Sequence, residues 1–236
     1  MRSDLKRLLA RLGSQAPSTG ATLLIYHRVG GGSQDELDLP ATEFARQLDV
    51  LAGHRVLPID AALDRLDAGD ASPSVVLTFD DGYADVHAHA WPLLRERGLP
   101  FTLYLATGYV GGTMRWEGST ARTGGSGLTW DQVGDMAGSG LCTVANHTHS
   151  HPRPAGLTAA ELDRCSDEIA AHLGAGARPR HFAYTWGIEV PSMAGPLRER
   201  FRSAATGRLG RNLPGADPMA LRRVPVRRSD PVEFFA

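Results

Sequence analysis

The chain is predicted to fold as an α/β protein in which helices connect the strands of a parallel sheet. Short apolar runs typical of buried strands alternate with segments whose apolar residues recur at helical spacing. The 236 residues, of which 42% are hydrophobic, are enough to bury one large core. Two polar motifs each follow a strand-like run, and functional sites in such folds collect at the carboxyl ends of strands.

The first half of the chain alternates strands with helices. Strands are predicted at three apolar runs, residues 22–26, 74–79 and 101–105. Helical spacing of apolar side chains predicts a helix in the segment that holds Phe44, Leu48 and Leu51. A further helix is expected over residues 84–97, because the glycine and the proline just after it would end it.

The second half opens with a glycine-rich stretch, residues 107–127, which predicts a long loop of a kind that is often functional. Thr129 is expected to cap a helix that runs through Met136. Thr158 is expected to cap another helix, with Glu161 completing a capping box. Strands or extended pieces are predicted at residues 141–145, 182–184, 204–205 and 224–226.

Composition excludes several classes of function. The formal net charge of -1 gives no case for nucleic acid or an anionic membrane as a partner. No run approaches the roughly 18 apolar residues of a membrane span, and the basic N-terminus lacks a secretory apolar core. We therefore expect a short helix in residues 1–19, one domain over residues 20–236, and a cytoplasmic protein.

The two cysteines, Cys142 and Cys165, lack the spacing of metal ligands, so we expect them to be buried thiols. The oligomeric state stays open.

An acidic pair follows the strand predicted at residues 74–79. Residues 78–82 read Thr-Phe-Asp-Asp-Gly, and neighbouring side chains on an extended strand point to different faces. One of the carboxylates of Asp80 and Asp81 could therefore bind a metal while the other faces a substrate. A solvated turn is the alternative, but a buried strand does not usually end in two carboxylates without partners.

A histidine cluster follows the strand predicted at residues 141–145. His147, His149 and His151 fall within five residues of a chain that has nine histidines. One carboxylate and two imidazoles can hold a divalent metal and leave a position open for water. A cluster of surface histidines is the alternative, and His149 is expected to have a supporting or structural role.

His27 also stands at the end of a predicted strand, residues 22–26. A lone histidine after an apolar run is usually structural. Its place on the same predicted sheet edge as the other two motifs makes it a candidate acid–base group.

Together these motifs resemble the polysaccharide deacetylases, the NodB-homology or carbohydrate esterase family 4 domain. The acidic pair followed by His-Thr-x-Ser-His carries the resemblance. It extends over most of residues 20–230, through residues 24–29, 106–112, 128–130 and 182–184. The resemblance implies a distorted (β/α)7-type barrel that removes acetyl groups from N-acetylated sugars.

The resemblance also implies roles for individual residues. Asp81, His147 and His151 would bind one divalent metal, commonly Zn²⁺, although Co²⁺, Ni²⁺ or Fe²⁺ also suits these ligands. Asp80 would be the general base that takes a proton from the attacking water. No C-terminal Leu-x-His motif is present, so the match is similar to a permuted branch in which the histidine of an N-terminal Tyr-His motif, here His27, is the general acid.

Two departures from the family pattern fall in residues 182–187, Phe-Ala-Tyr-Thr-Trp-Gly. Thr185 stands where the family often has proline, which restores a backbone N–H near a place where one could stabilise an oxyanion. The arginine that other members use in this motif to orient the base is absent. Arg222, Arg223 or Arg227 could replace it.

The expected substrate is an N-acetylated sugar or glycoconjugate, and a nucleotide- or lipid-linked precursor suits the missing export signal. Trp116 and Trp186 could stack on a sugar ring or simply pack in the protein, and Tyr184 and Thr185 are further candidate contacts. Two alternatives stay open: a related hydrolase of an amide or cyclic imide on a non-polymeric substrate, and a catalytically silent sugar-binding domain.

Overall fold

The computed structural model describes residues 19–119 and 124–235, so the helix predicted in residues 1–19 lies almost wholly outside the described residues. The strands are β1 Ala21–Tyr26, β2 Arg28–Val29, β3 Asp38–Leu39, β4 Ser74–Phe79, β5 Phe101–Leu105, β6 Cys142–Asn146, β7 His181–Ala183, β8 Ser203–Ala205 and β9 Arg223–Pro225. The α-helices are α1 Ala41–Leu51, α2 Ile59–Asp67, α3 Trp91–Glu96, α4 Trp130–Gly138, α5 Ala159–Leu173 and α6 Ala194–Arg200.

Seven of the described strands form one parallel sheet, in the order β8-β7-β6-β5-β4-β1-β9. The two edges of this sheet meet through Leu221, which lies just before β9. Its N–H donates to the Ala204 carbonyl at 3.0 Å, and its own carbonyl accepts from the Thr206 N–H at 2.9 Å. The sheet is therefore nearly closed into a barrel, which leaves little unpaired edge and confirms the predicted (β/α)7-type fold.

Alternate strand residues face two apolar layers, as the two-residue period of a strand requires. In β1, Leu24 packs between the sheet and the surrounding helices, whereas Leu23 packs in the barrel interior. Ala145 and Ala183 help to fill that interior, and α2 packs against the same cluster. The sequence analysis did not identify α2, which is short and follows Pro58 with no capping side chain to mark its start.

The helix predicted over residues 84–97 is present, since the chain is helical from residue 84 to residue 96, but it is not a regular α-helix throughout. Val86–Ala90 forms a π-helical stretch, and the α-helical segment α3 follows it from Trp91. Pro92 has no N–H to donate to the preceding turn, so a regular α-helix cannot pass through it without loss of a hydrogen bond. The π-helical stretch lies directly before this proline.

The two predicted helix caps have different outcomes. Thr129 caps α4 and forms a complete capping box with Gln132. Thr158 accepts from the Glu161 N–H at 3.4 Å, but the Glu161 carboxylate accepts from the Ser150 N–H at 2.8 Å. Glu161 therefore braces the histidine-rich segment instead of completing its own capping box.

The strand predicted at residues 74–79 is β4, with the same bounds. Both cysteines are buried free thiols, as predicted. Among the described helices, none is both long and apolar enough to cross a membrane.

Candidate metal centre and active site

The predicted site residues gather at one end of the barrel, where the parallel strands reach their carboxyl ends. His27 follows β1, the acidic pair follows β4, and the histidine cluster follows β6. His27, both aspartates and the two outer histidines of the cluster line a common pocket of about 270 Å³. Its wall is formed by His27, Asp80, Asp81, His147, His151 and Arg223, together with Trp116, Trp186 and several smaller side chains.

Asp81, His147 and His151 form a compact, buried ligand group. One potential ligand atom from each lies within 4.8 Å of the others, and no second such group occurs in the described parts of the chain. The Nε2 atoms of His147 and His151 lie 3.3 and 3.4 Å from Asp81 Oδ1. His147 Nδ1 donates to the Ala183 carbonyl at 2.9 Å, which leaves its Nε2 lone pair facing the group. This donor set fits a divalent metal such as Zn²⁺.

The charges around this group favour an ionised carboxylate. Burial alone would raise the pKa of Asp81, but the contacts from His147 and His151 outweigh it and hold that pKa well below its usual value. Burial would lower the pKa of His147, but hydrogen bonding to Asp81 raises it. Burial dominates at His151, whose pKa is lowered. A proton and a metal cation would therefore compete for the same imidazole lone pairs.

The backbone is strained at this site. Among the described residues other than glycine, positive φ angles occur at Asp81 (73°), Thr148 (68°), His151 (51°) and Trp186 (61°). Each such conformation costs on the order of 1–3 kcal/mol, and it persists only where the surroundings impose it. Two of the four are candidate metal ligands and the other two are their close neighbours, so the strain coincides with the site.

Asn146 holds the histidine segment in place. Its buried amide donates to the Leu162 carbonyl at 2.8 Å and to Ser166 Oγ at 2.9 Å, both in α5. Its Oδ1 accepts from the Thr148 N–H at 2.8 Å, and Thr148 Oγ1 accepts from the His151 N–H at 3.0 Å. The sequence analysis missed Asn146, although an asparagine at a strand end is a typical turn-stabilising residue.

His149 points away from the ligand group. Its Nδ1 lies 3.0 Å from Glu168 Oε2 and 3.1 Å from Thr107 Oγ1. This anchors the segment between the two candidate ligands, in line with the supporting role predicted for His149.

Asp80 is held by Arg223. Nη1 and Nη2 of Arg223 donate to the two carboxylate oxygens of Asp80 at 2.7 and 2.9 Å, and both residues are buried. Burial would raise the pKa of Asp80, but the charges of Arg223 and His147 lower it. Of the three arginines that could replace the missing one, the structure therefore selects Arg223, since Arg222 and Arg227 are exposed.

His27 lines the same pocket, and its Nδ1 is buried with no hydrogen-bond partner among the residues described. The residues after it are tightly anchored. Arg28 Nε donates to Asp85 Oδ2 at 2.7 Å, and Asp85 Oδ1 accepts from the Val29 N–H at 3.2 Å. The main chain beside His27 is thus tied to the segment that follows the acidic pair.

The four predicted substrate contacts divide into two pairs. Trp116 and Trp186 line the pocket. Tyr184 and Thr185 are buried behind it, because the tyrosine ring belongs to an apolar cluster and the threonine hydroxyl donates to a main-chain carbonyl at 2.8 Å. The Tyr184 N–H donates to the Ala205 carbonyl at 2.9 Å. This N–H therefore pairs within the sheet and is not free to stabilise an oxyanion.

Comparisons with known proteins identify a family for this chain. The polysaccharide deacetylase family model matches residues 67–193. YxkH of Bacillus subtilis (strain 168), named as a polysaccharide deacetylase, is 30% identical over 142 residues, which make up 58% of this chain and 45% of YxkH. The chain thus spans about half the length of that relative.

Solved structures extend the similarity over nearly the whole chain. IcaB from Ammonifex degensii has a TM-score of 0.79 and 32% identity, covering 93% of this chain and 98% of its own. The deacetylase PplD from Streptococcus pyogenes has a TM-score of 0.76 over 93% of this chain and 97% of its own, and at 21% identity it shows the shared fold. The chain belongs to the polysaccharide deacetylase family.

Proposed function

We propose that the chain is a metal-dependent hydrolase that removes the N-acetyl group from an N-acetylated sugar or glycoconjugate. Family membership supports the carbohydrate deacetylase activity. The observation that carries the metal dependence is the buried group of Asp81, His147 and His151, with a separately anchored carboxylate, Asp80, in the same pocket.

Asp81, His147 and His151 would hold the metal ion. One carboxylate and two imidazoles suit Zn²⁺, and they also suit Co²⁺, Ni²⁺ or Fe²⁺. A bound ion would supply Lewis-acid chemistry, which polarises an amide carbonyl and makes a water molecule more acidic.

Asp80 is proposed as the general base. The guanidinium of Arg223 occupies one direction at each carboxylate oxygen and keeps the carboxylate ionised. Each oxygen still has a second lone pair, so Asp80 can accept a proton from the attacking water. Because Arg223 fixes the plane of the carboxylate, that lone pair has a defined direction.

His27 is proposed as the general acid. The nitrogen of a sugar acetamide leaves readily only when it is protonated, and an imidazolium in the same pocket can supply that proton. His27 lines the pocket with Asp80, and its Nδ1 is not committed to a hydrogen bond within the described residues.

The test is acetate release from a panel of N-acetylated sugars, nucleotide sugars and chito-oligosaccharides. We expect release to stop after chelation and to return with added Zn²⁺. Asp80→Asn should still bind Zn²⁺ but release no acetate. Tight Zn²⁺ binding without release from any member of the panel would favour an amide or cyclic-imide hydrolase with another substrate, or a silent sugar-binding domain.

A further inference from the structure

The two candidate imidazole ligands are held in different ways. In both, Nε2 faces Asp81. His147 donates its other ring N–H to the Ala183 carbonyl at 2.9 Å, which is the arrangement usual for a metal-binding imidazole. His151 is only 5% exposed, yet its Nδ1 finds no hydrogen-bond partner elsewhere in the described ranges. No hydrogen bond at Nδ1 from this part of the chain therefore orients its ring.

Two indole rings flank His151. The ring centroid of Trp116 lies 4.3 Å from that of the imidazole, with 37° between the planes. The Trp186 centroid lies 5.6 Å from it, at 58°. These separations are those of packed aromatic pairs. The imidazole is therefore wedged between side chains from two different loops.

The two indoles are themselves braced. The Trp116 ring also packs near Tyr109 and Tyr83, with centroids at 5.5 and 6.3 Å. The guanidinium of Arg153 lies 5.3 Å from the centroid of Trp186. A sugar that stacked on Trp116 would have to compete with these neighbours, so packing is the better account of its position.

The main-chain contacts of His151 do not fix the orientation of its imidazole ring. Its φ of 51° is fixed by the turn, and its N–H is held by Thr148 Oγ1 at 3.0 Å. These contacts place the Cα–Cβ bond but do not set the side-chain torsions. Apart from the 3.4 Å contact between Nε2 and Asp81 Oδ1, ring packing is the constraint on where Nε2 points.

We propose that Trp116, supported by Trp186, is a positioning residue for the metal ligand His151. The indoles hold the imidazole with Nε2 toward Asp81. They thus orient His151 as the hydrogen bond to the Ala183 carbonyl orients His147. This inference rests on the proposed metal-dependent function. It assigns Trp116 to metal affinity, and not to the sugar platform considered from the sequence.

The experiment measures Zn²⁺ affinity by competition with a chromogenic chelator, with no substrate present. Trp116→Ala should bind Zn²⁺ about tenfold more weakly than the wild type, at the lower end of the effect of removing a partner of a metal ligand. Trp116→Phe keeps an aromatic ring beside His151 and should recover most of the affinity.

The chain offers a matched control. Trp130 stacks on His172 with centroids 4.0 Å apart and 5° between the planes, and neither residue lines the pocket. Trp130→Ala removes a tryptophan–histidine pair of the same kind and should leave Zn²⁺ affinity unchanged.

The failures can be told apart. A wild-type protein that binds no Zn²⁺ would remove the proposed metal function. Normal Zn²⁺ affinity in Trp116→Ala would overturn the positioning role, and a raised KM for the sugar in that variant would return Trp116 to substrate binding. If circular dichroism shows that Trp116→Ala does not fold, Trp186→Ala tests the same packing on His151 at a residue that is 39% exposed. Unchanged Zn²⁺ affinity in Trp186→Ala would also overturn the positioning role.

Discussion

Arg223 and Asp80 lie 143 positions apart in the chain, and their side chains meet inside the barrel as a bidentate ion pair. Arg223 begins β9, and Asp80 follows β4, with β1 between these strands. The same guanidinium lies 5.5 Å from the ring centroid of Tyr104, and its Nε donates to the Thr206 carbonyl at 2.9 Å. The barrel thus supplies, beside the proposed base, a cation that has a hydrogen-bond partner at each of its nitrogens.

Breaking this pair should damage both stability and activity. Arg223→Met leaves the carboxylate of Asp80 buried without its partner, which should lower the free energy of unfolding by about 3–5 kcal/mol. Acetate release should be lost as well, because the base is no longer oriented. Urea unfolding and an acetate assay measure the two effects.

A double variant separates the two effects. Asp80→Asn combined with Arg223→Met removes both charges, so it should regain part of the lost stability while remaining inactive. Arg222→Ala, at an exposed neighbour, should resemble the wild type. Equal stability of Arg223→Met and wild type would contradict the structural role of the pair.

Asn146 should affect metal binding through the turn that carries His147 and His151. Asn146→Ala removes the acceptor of the Thr148 N–H and the donor to Ser166 Oγ, so it should cost about 1–3 kcal/mol of stability and weaken Zn²⁺ binding. Thermal unfolding and chelator competition measure these two quantities.

Asn212 is a matched control for this prediction. It is buried, and its amide accepts from the Arg222 N–H and donates to the Arg222 carbonyl, both at 2.9 Å. It is not among the residues that line the pocket. Asn212→Ala should lose comparable stability and keep normal Zn²⁺ affinity. If both variants lose Zn²⁺ affinity equally, general destabilisation is the cause.

The Arg28–Asp85 pair should matter for catalysis because it anchors the main chain next to His27. Asp85→Ala removes the acceptor for both Arg28 Nε and the Val29 N–H. Small displacements of a reacting group can lower a rate by up to about a hundredfold. We therefore expect a lower kcat with unchanged Zn²⁺ affinity. Arg46→Ala, which breaks an exposed ion pair with Glu43, should change neither quantity. A full kcat in Asp85→Ala would refute the anchoring role.

Zinc should stabilise the folded protein through Asp81, His147 and His151. At a free Zn²⁺ concentration of 100 times Kd, mass action adds about 2.7 kcal/mol to the free energy of unfolding. The Tm should rise with added Zn²⁺ and fall after chelation. In Asp81→Ala this response should disappear, and a persistent zinc-dependent shift in that variant would place the ion elsewhere.

Asp60 should make stability depend on pH. Burial would raise its pKa, but the hydrogen bond from Arg202 and the charge of His181 outweigh burial, so its pKa is lowered. The ionised group therefore stabilises the fold above the ordinary aspartate pKa of about 3.9, and this contribution is lost as pH falls through the lowered value.

Asp60→Asn should accordingly have a lower Tm than wild type at pH 7, and the difference should shrink below about pH 4. Asp67→Asn removes a much more exposed partner of the same arginine and should cost little at any pH. A wild-type to Asp60→Asn difference that stays constant down to pH 3 would contradict the assignment.

The sequence by itself determined the architecture and the candidate metal ligands. The apolar runs that became β1, β4 and β5 are local signals, since each needs only about five or six consecutive residues to specify a buried strand. The acidic pair and the histidine cluster could be placed together in the same way, because each follows such a run and parallel strands bring their carboxyl ends to one edge. The choice of Asp81, His147 and His151 among these residues came from the resemblance to the family.

Only the tertiary structure decided which side chains meet across the barrel. Arg223 could not be distinguished from Arg222 or Arg227 in the sequence, because burial, and not residue type, separates them. In the same way, Tyr184 is drawn into an apolar cluster, and Trp116 packs on His151 from a different loop. Contacts between residues far apart in the chain leave no periodic pattern in it, since they arise only when the sheet closes and buried groups must find partners.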